Sequence, residues 1–147
     1  MENFKILNLS HELFKAIEEL GYTTLTPIQA SALPLLLEGE TDFLGLAATG
    51  TGKTAAFGIP ILEFIDAKSK TVQALIMCPT RELALQVTEQ LNLLGKYKKI
   101  RAVPIYGGAG YGDQIRGIRS GAQIIVATPG RLIDHLERNT FKLDKVK

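Results

Sequence analysis

Cysteine occurs once in this 147-residue chain, as Cys78, and histidine only twice, as the widely separated His11 and His135. A lone cysteine excludes an internal disulfide and points to a reducing, cytoplasmic setting. One cysteine and two distant histidines leave a zinc site without a ligand set. Cys78 follows the apolar run Ala74–Met77, so it is expected to be buried as a small hydrophobe. No apolar run approaches the ~20 residues that cross a bilayer, so no membrane partner is expected. The opening stretch MENFKILNLSHELF is amphipathic and partly acidic, unlike a signal peptide. Repeats, low-complexity tracts and obvious linkers are lacking too. The net charge of +2 is too small to indicate a nucleic-acid partner by itself. Its distribution says more. Between Gly95 and Arg131, seven basic residues (Lys96, Lys98, Lys99, Arg101, Arg116, Arg119, Arg131) face one acid, Asp113. Such a stretch suits a phosphate-backbone binder and suits a solvated surface equally, and charge alone does not separate the two.

What is present is ordinary globular material, 46% hydrophobic and 22% charged, long enough for one domain with a core. Ser10 is placed to cap a helix ending at Gly21, with Leu13, Phe14, Ile17 and Leu20 on its apolar face. Thr26-Pro27 opens a second helix, which Pro34 is expected to kink or split before Gly39. After Thr41 the pattern alternates. Strands are predicted at 42–47, 72–78, 100–106 and 122–127, and helices at 53–66, 81–94, 111–120 and 130–138. Leu83, Val87, Leu91 and Leu94 recur at helical spacing on one of these. Near-continuous apolar strands such as ALIMC and QIIVA predict an α/β fold: an open, mainly parallel sheet with helices on both faces. Pro104 puts its strand at an edge or on a bulge. Residues 1–41 form a helical preface and 42–147 the alternating core of one expected domain.

Chemistry concentrates in residues 47–54, AATGTGKT, between a strand-like run and a helix-forming one. Gly50 and Gly52 permit backbone conformations closed to residues with a Cβ, so that consecutive N–H groups of Ala48, Thr49, Gly50, Thr51 and Gly52 turn toward a polyphosphate. The following helix aims its N-terminal partial charge at the same anion. Lys53 is expected to reach the outer phosphates of ATP and the Thr54 hydroxyl to ligate Mg²⁺. Position 47, Gly in the strict phosphate-loop pattern, is Ala here.

Further motifs fall at the predicted strand ends: Pro79-Thr80-Arg81-Glu82-Leu83-Ala84, Gly107-Gly108 and Thr128-Pro129-Gly130-Arg131. Upstream lies Gly21-Tyr22-Thr23-Thr24-Leu25-Thr26-Pro27-Ile28-Gln29. In this order the set resembles the first RecA-like domain of DEAD-box ATP-dependent RNA helicases, over Phe4 to Lys147. The resemblance makes Gln29 the adenine reader. A glutamine amide accepts from adenine N6–H₂ and donates to N7, which guanine cannot match. It also places Phe4 against the adenine with Tyr22 close by, although both aromatics fit ordinary packing roles equally well. It makes the sequence an RNA helicase segment that binds ATP and, through Pro79, Thr80, Arg81, Gly107, Gly108, Thr128, Pro129, Gly130 and Arg131, part of an RNA backbone. The physical reason is shared: threonine-capped helix N-termini bind anions, arginines add forked bonds, and glycines admit close approach. Such contacts read phosphate and sugar, so they carry no base sequence. Arg116 and Arg119 are expected on a solvated face.

Position 48, commonly Gln in the family, is Ala48 here; its side chain is not needed for a backbone cradle, so ATP binding is expected to survive. No acid follows any strand candidate, although a phosphate-loop ATPase needs one to organise Mg²⁺ and water. The resemblance implies that an Asp-Glu-Ala-Asp motif follows 143–147 on the next strand, and that a second RecA-like domain completes the ATP site. The chain is thus expected to be a C-terminally truncated RecA-like fragment, by itself inactive in hydrolysis. The alternative is a non-catalytic nucleotide-binding or interaction module.

Overall fold

The computed structural model describes residues 2–147. Two compact units emerge among them, one running to Phe64 and including 93–98, the other of 65–92 with 99–147. The first unit extends to Phe64 because α3 (Pro27–Glu38) and α4 (Lys53–Phe64) pack closely on each other. The phosphate loop therefore groups with the N-terminal helices.

In the first unit a short helix not foreseen from sequence, α1 (Glu2–Lys5), precedes α2 (His11–Glu19). Leu13, Ala16 and Ile17 of α2 are buried, and Gly21 closes it in the left-handed conformation at φ 74°. Ser10 holds the N-cap position without capping. Its hydroxyl donates to Glu63 Oε2 at 2.9 Å and its N–H to the same oxygen at 3.1 Å, so it clips the helix start to the end of α4. Lys98 Nζ adds a bond to the Glu63 carbonyl at 3.0 Å. Helix α3 begins with a complete capping box, Thr26 with Gln29. Pro34 does not split it. The helix runs unbroken to Glu38 and stops at Gly39, φ 75°. A proline forfeits one intrahelical bond, and the contact with α4 offsets the loss; α4 carries Pro60 inside it in the same way.

The expected strand at 42–47 does not form. Its apolar residues are there, but a strand requires a neighbour for its N–H and C=O groups, and these residues join no ladder. Leu44 and Leu46 stand 89% and 90% exposed as a result.

The second unit is built on a parallel sheet in the order β1–β3–β2, with β1 at Ala74–Met77, β2 at Ala102–Ile105 and β3 at Ile124–Ala127. All four residues of β3 are buried although alternate side chains point to opposite faces, so both faces of the sheet are covered there. On one face Val103, Ile105, Ile125 and Ala127 pack with Ile118 of α6 (Tyr111–Arg119) and Leu132 of α7 (Pro129–Glu137). Each such aliphatic side chain stabilises the fold by roughly 1.5–3 kcal/mol when fully buried. Helix α5 (Arg81–Gly95) buries Val87, Leu91 and Leu94, but Leu83 is exposed at its mouth. Cys78 is buried, which pushes its thiol pKa up.

Strand β2 is an edge, as Pro104 requires. Asn92 covers that edge: its Oδ1 accepts from Ala102 N–H at 2.8 Å and its Nδ2 donates to Ala102 O at 3.0 Å, in place of a further strand. At the amino ends of the strands the buried Gln123 accepts from Arg101 N–H at 2.9 Å and donates to Ala67 O at 3.3 Å and Ser69 O at 3.2 Å.

Candidate functional site

The residues singled out in the sequence form two groups, one in each unit. The first is built on the phosphate loop. Gly50 and Gly52 take φ of 78° and 87°, the conformations only glycine adopts without strain. Lys53 begins α4, and Thr54 follows in its first turn. The loop is closed by internal bonds: Thr51 Oγ1 donates to Ala48 O at 2.6 Å, and Lys53 Nζ donates to Ala47 O at 2.5 Å. Both acceptors are loop carbonyls, and the loop is exposed from Ala48 to Gly50.

Gln29 is buried under this loop. Its Oε1 accepts from Thr26 N–H at 3.1 Å, and its Nε2 donates to Gly52 O at 3.2 Å. One amide thus joins the start of α3 to the phosphate loop. A Cβ on Gly52 would collide with Gln29 Nε2 and come within 3.1 Å of Thr26 Oγ1, so Gly52 is required by packing as well as by φ. Tyr22 is half-buried. Phe4 is fully buried and offers no surface; its place in the unit is a core position.

The second group lines the carboxyl ends of the three strands. Register pairs Met77 and Ile105 each with Ala127, so the segments that follow, 78–81, 106–110 and 128–131, emerge at one level. With parallel strands ~4.8 Å apart they span about 10 Å. Thr80 caps α5, its Oγ1 accepting from Leu83 N–H at 3.3 Å. Thr128 stands at the N-cap of α7 but makes no side-chain cap bond, so the cap expected there is positional only. The Arg81 guanidinium lies over the Tyr106 ring, 4.7 Å from its centroid. Pro79, Thr80, Arg81, Pro129 and Gly130 are exposed. Gly108 has φ 81°. Gly107 and Gly130 need no positive φ, and a Cβ on either would meet nothing. The protein's own packing therefore gives no reason for glycine at these two positions.

Arg131 is placed differently from the other members. Its side chain is 9% exposed; Nη1 donates to Ala109 O at 2.9 Å and to Gln114 Oε1 at 3.2 Å, and Nε lies 4.0 Å from Asp134. The guanidinium also sits 4.1 Å from the Tyr111 ring centroid. Its interactions with protein groups replace the open, forked reach expected from sequence. Arg116 is exposed and paired with Asp113, as a solvated face requires.

Two residues of this group were not anticipated, Gln114 on α6 and His135 on α7. Each is a buried polar residue standing in an apolar helical stripe, Gln114 four before Ile118 and His135 three after Leu132. That interruption was the signal available. Burial first, then the charges of Arg131 and Arg138, lower the His135 pKa, against a smaller opposing effect of Asp134.

These arrangements match a known family. The family model for DEAD/DEAH box helicases matches residues 26–147. The chain is 51% identical over 146 residues to the DEAD-box ATP-dependent RNA helicase CshA of Geobacillus kaustophilus, covering 99% of this chain and 31% of that protein. It is 50% identical over 143 residues to CshA of Bacillus subtilis, covering 97% of this chain and 29% of the relative. The chain therefore spans under a third of the length of these curated relatives. Among solved structures, a DEAD box protein from the hyperthermophile Methanococcus jannaschii superposes with a TM-score of 0.93 at 41% identity, over 99% of this chain and 39% of that one. A variant of S. cerevisiae Dbp5 bound to RNA and ADP BeF3 gives 0.89 at 35% identity, over 100% and 37%. The parallel open sheet, the phosphate loop and the ordered motifs agree with these matches, and the chain belongs to the DEAD/DEAH box helicase family.

Proposed function

We propose that this segment is the adenine-nucleotide-binding part of an ATP-dependent RNA helicase and that it also holds part of the RNA backbone. The observation that carries the reading is the Gln29–Gly52 bond, which seats an adenine-competent amide on the phosphate loop itself. ATP binding would draw Lys53 Nζ from the Ala47 carbonyl to the phosphates, exchanging a neutral acceptor for a charged one. The loop backbone from Ala48 to Gly52 would supply further donors, with Thr49 and Thr51 on its rim. Tyr22 would lie near the adenine, and Phe4 would support the pocket from the core. Thr54 would give one oxygen to a Mg²⁺ ion. Among the described residues no cluster of His, Cys, Asp and Glu could hold a metal unaided, which suits an ion that arrives with the nucleotide.

For RNA, the supporting observation is the pair of open glycines, Gly107 and Gly130. A phosphate strand passing close to the backbone explains a glycine that packing does not. The free N–H groups at the starts of α5 and α7 would bind phosphates beside Thr80 and Thr128. Hydrolysis needs an acid at a strand end. The described strands are followed instead by Cys78-Pro79, Tyr106-Gly107 and Thr128-Pro129. The catalytic acids and a second RecA-like domain would come from other parts of the full protein, working in the cytoplasm.

The test is calorimetric titration of this chain with Mg²⁺–ATP, together with a steady-state hydrolysis assay. Binding that Lys53→Ala weakens by about tenfold or more, with turnover at background, is expected. Turnover well above the Lys53→Ala control, or binding that ignores this substitution, contradicts the reading.

A further inference from the structure

The second unit carries a buried polar relay that joins two of its strand-end loops. Gln114 stands at its centre. Its Nε2 donates to Tyr106 O at 2.9 Å, at the root of the Gly107–Gly110 loop. Its Oε1 accepts from Arg131 Nη1 at 3.2 Å and faces His135 Nε2 at 2.8 Å. Arginine can only donate, so this contact fixes which end of the amide points toward α7. His135 Nε2 must then carry a proton. Nδ1 of the same ring meets Thr140 Oγ1 at 2.9 Å, and Thr140 N–H donates to His135 O at 3.1 Å, anchoring the far end of α7. Arg131 reaches back across the gap to Ala109 O at 2.9 Å. Every polar atom of Gln114 is thus used, half of it on the glycine loop and half on the helix that follows Thr128. Tyr111 closes the assembly, its hydroxyl donating to Asp134 Oδ2 at 2.9 Å while its ring lies 5.4 Å from that of His135.

The relay is more than packing. A buried glutamine costs free energy unless all its bonds are made, and an apolar residue of the same length would fill the space more cheaply. Its bonds run to one backbone carbonyl, Tyr106 O, and to two side chains of α7, Arg131 and His135, and the backbone beside each end is open, since a Cβ on Gly107, Gly108 or Gly130 would meet nothing. Glycine loops are conformationally permissive, so something must hold them if their N–H groups are to meet successive phosphates at fixed spacing.

We infer that Gln114 and His135 are positioning residues that lock the Gly107–Gly110 loop and the N-terminus of α7 into one RNA-backbone-binding surface, with Arg131 as the strut between them. The inference rests on the RNA half of the proposed function. Gln114 touches no ligand in this scheme; it acts through Arg131 and through Tyr106 O.

The test uses the full-length helicase, a fluorescent single-stranded oligouridine and a non-hydrolysable ATP analogue with Mg²⁺, read by anisotropy. Gln114→Met keeps the length and removes every bond; Gln114→Glu keeps the acceptor facing Arg131 and His135 but loses the donor to Tyr106 O. Positioning predicts that Gln114→Met weakens RNA binding about tenfold, with nucleotide affinity unchanged, and that Gln114→Glu, which sets an acceptor against Tyr106 O, weakens it as well. A packing role predicts instead that Gln114→Met leaves RNA binding unchanged, because methionine of the same length fills the same buried space. Positioning further predicts that Gln114→Met costs little once Arg131→Met is present, since the two act as one unit. Thr140→Val, at the far end of the relay, should weaken RNA binding in the same sense but less, and serves if Gln114→Met does not fold. Parental RNA affinity in Gln114→Met, additive effects of Gln114→Met and Arg131→Met, or parental RNA affinity in Thr140→Val overturns the inference while leaving the proposed function intact. Failure of the unaltered protein to bind RNA overturns the proposed function, and this inference with it.

Discussion

The phosphate-loop group and the strand-end group are held in opposite ways. Around the loop, the bonds that fix the side chains end on the loop's own carbonyls: Lys53 on Ala47, Thr51 on Ala48, Gln29 on Gly52. The first two are on an exposed stretch, where a polyanion can compete for the donors. At the strand ends, Arg131, Gln114 and His135 are bonded inside the protein and mostly out of water. The exposed surface there is glycine backbone with Pro79, Thr80, Arg81 and Pro129 around it. One group offers exposed side chains whose present acceptors a polyanion could replace. The other offers N–H groups on a braced frame. A site that must release its ligand in a cycle is served by the first design, and one that must present regular spacing to a repeating backbone by the second.

Substitutions can break this contrast. The largest effect is expected from Lys53→Ala. Loss of a charge-assisted bond of roughly 1.5–3 kcal/mol lowers ATP affinity about tenfold to a hundredfold. Thermal stability should be almost unchanged, because Lys53 bonds only to an exposed loop carbonyl. Titration and melting of the same preparation check both statements.

Next come the two loop glycines. Gly50→Ala meets only backbone strain, since nothing lies near a Cβ there, whereas Gly52→Ala meets strain and a collision with Gln29. Strain of this kind costs on the order of 1–3 kcal/mol. Gly52→Ala should therefore lose more stability in urea than Gly50→Ala and should also weaken ATP binding by displacing Gln29. Equal losses would mean that Gln29 does not rest on the loop.

The strand-end group has a pH signature. Burial, helped by Arg131 and Arg138, holds the His135 pKa below its ordinary value of 6.5. The unfolded chain then binds more protons than the folded one in the window below that value. Stability from this residue is complete above pH 6.5 and is lost as pH falls through the lowered folded value. Urea midpoints measured downward from neutrality should decline, and the decline should be shallower in His135→Gln. The phosphate-loop group contains no histidine, so ATP affinity should not follow the same curve. The smallest effect is expected at Leu46. It is almost wholly exposed, so Leu46→Ser should change the urea midpoint of this chain by no more than about 0.5 kcal/mol in stability.

Much of this was legible from sequence wherever local chemistry decides the outcome. Thr26-Pro27 announced the start of α3, Gly21 and Gly39 announced helix ends, and Pro104 announced an edge or a bulge, of which the structure has the edge. The apolar runs gave the three strands of the parallel sheet. What failed depended on partners distant in sequence. The 42–47 run has a strand's composition but pairs with nothing among the described residues, and no local pattern reports a missing neighbour. Pro34 was read as a breaker because the α3–α4 contact that carries the helix past it is tertiary. The bonds of Arg131 inside the protein were equally hidden, since its motif gives no hint of Gln114, seventeen residues earlier. Gln114 and His135 left only a faint trace, a polar residue where the helical stripe calls for an apolar one.

The central claim is that Gln29, seated on the phosphate loop, makes this an adenine-nucleotide site. The most direct measurement is the ratio of ATP to GTP affinity, each with Mg²⁺, in the unaltered chain and in Gln29→Leu. A bidentate amide reading one base is worth about 1–3 kcal/mol of discrimination, so ATP should bind roughly tenfold tighter or more, and the substitution should erase the preference. GTP bound as tightly as ATP by the unaltered chain, or a preference that survives in Gln29→Leu, would contradict it.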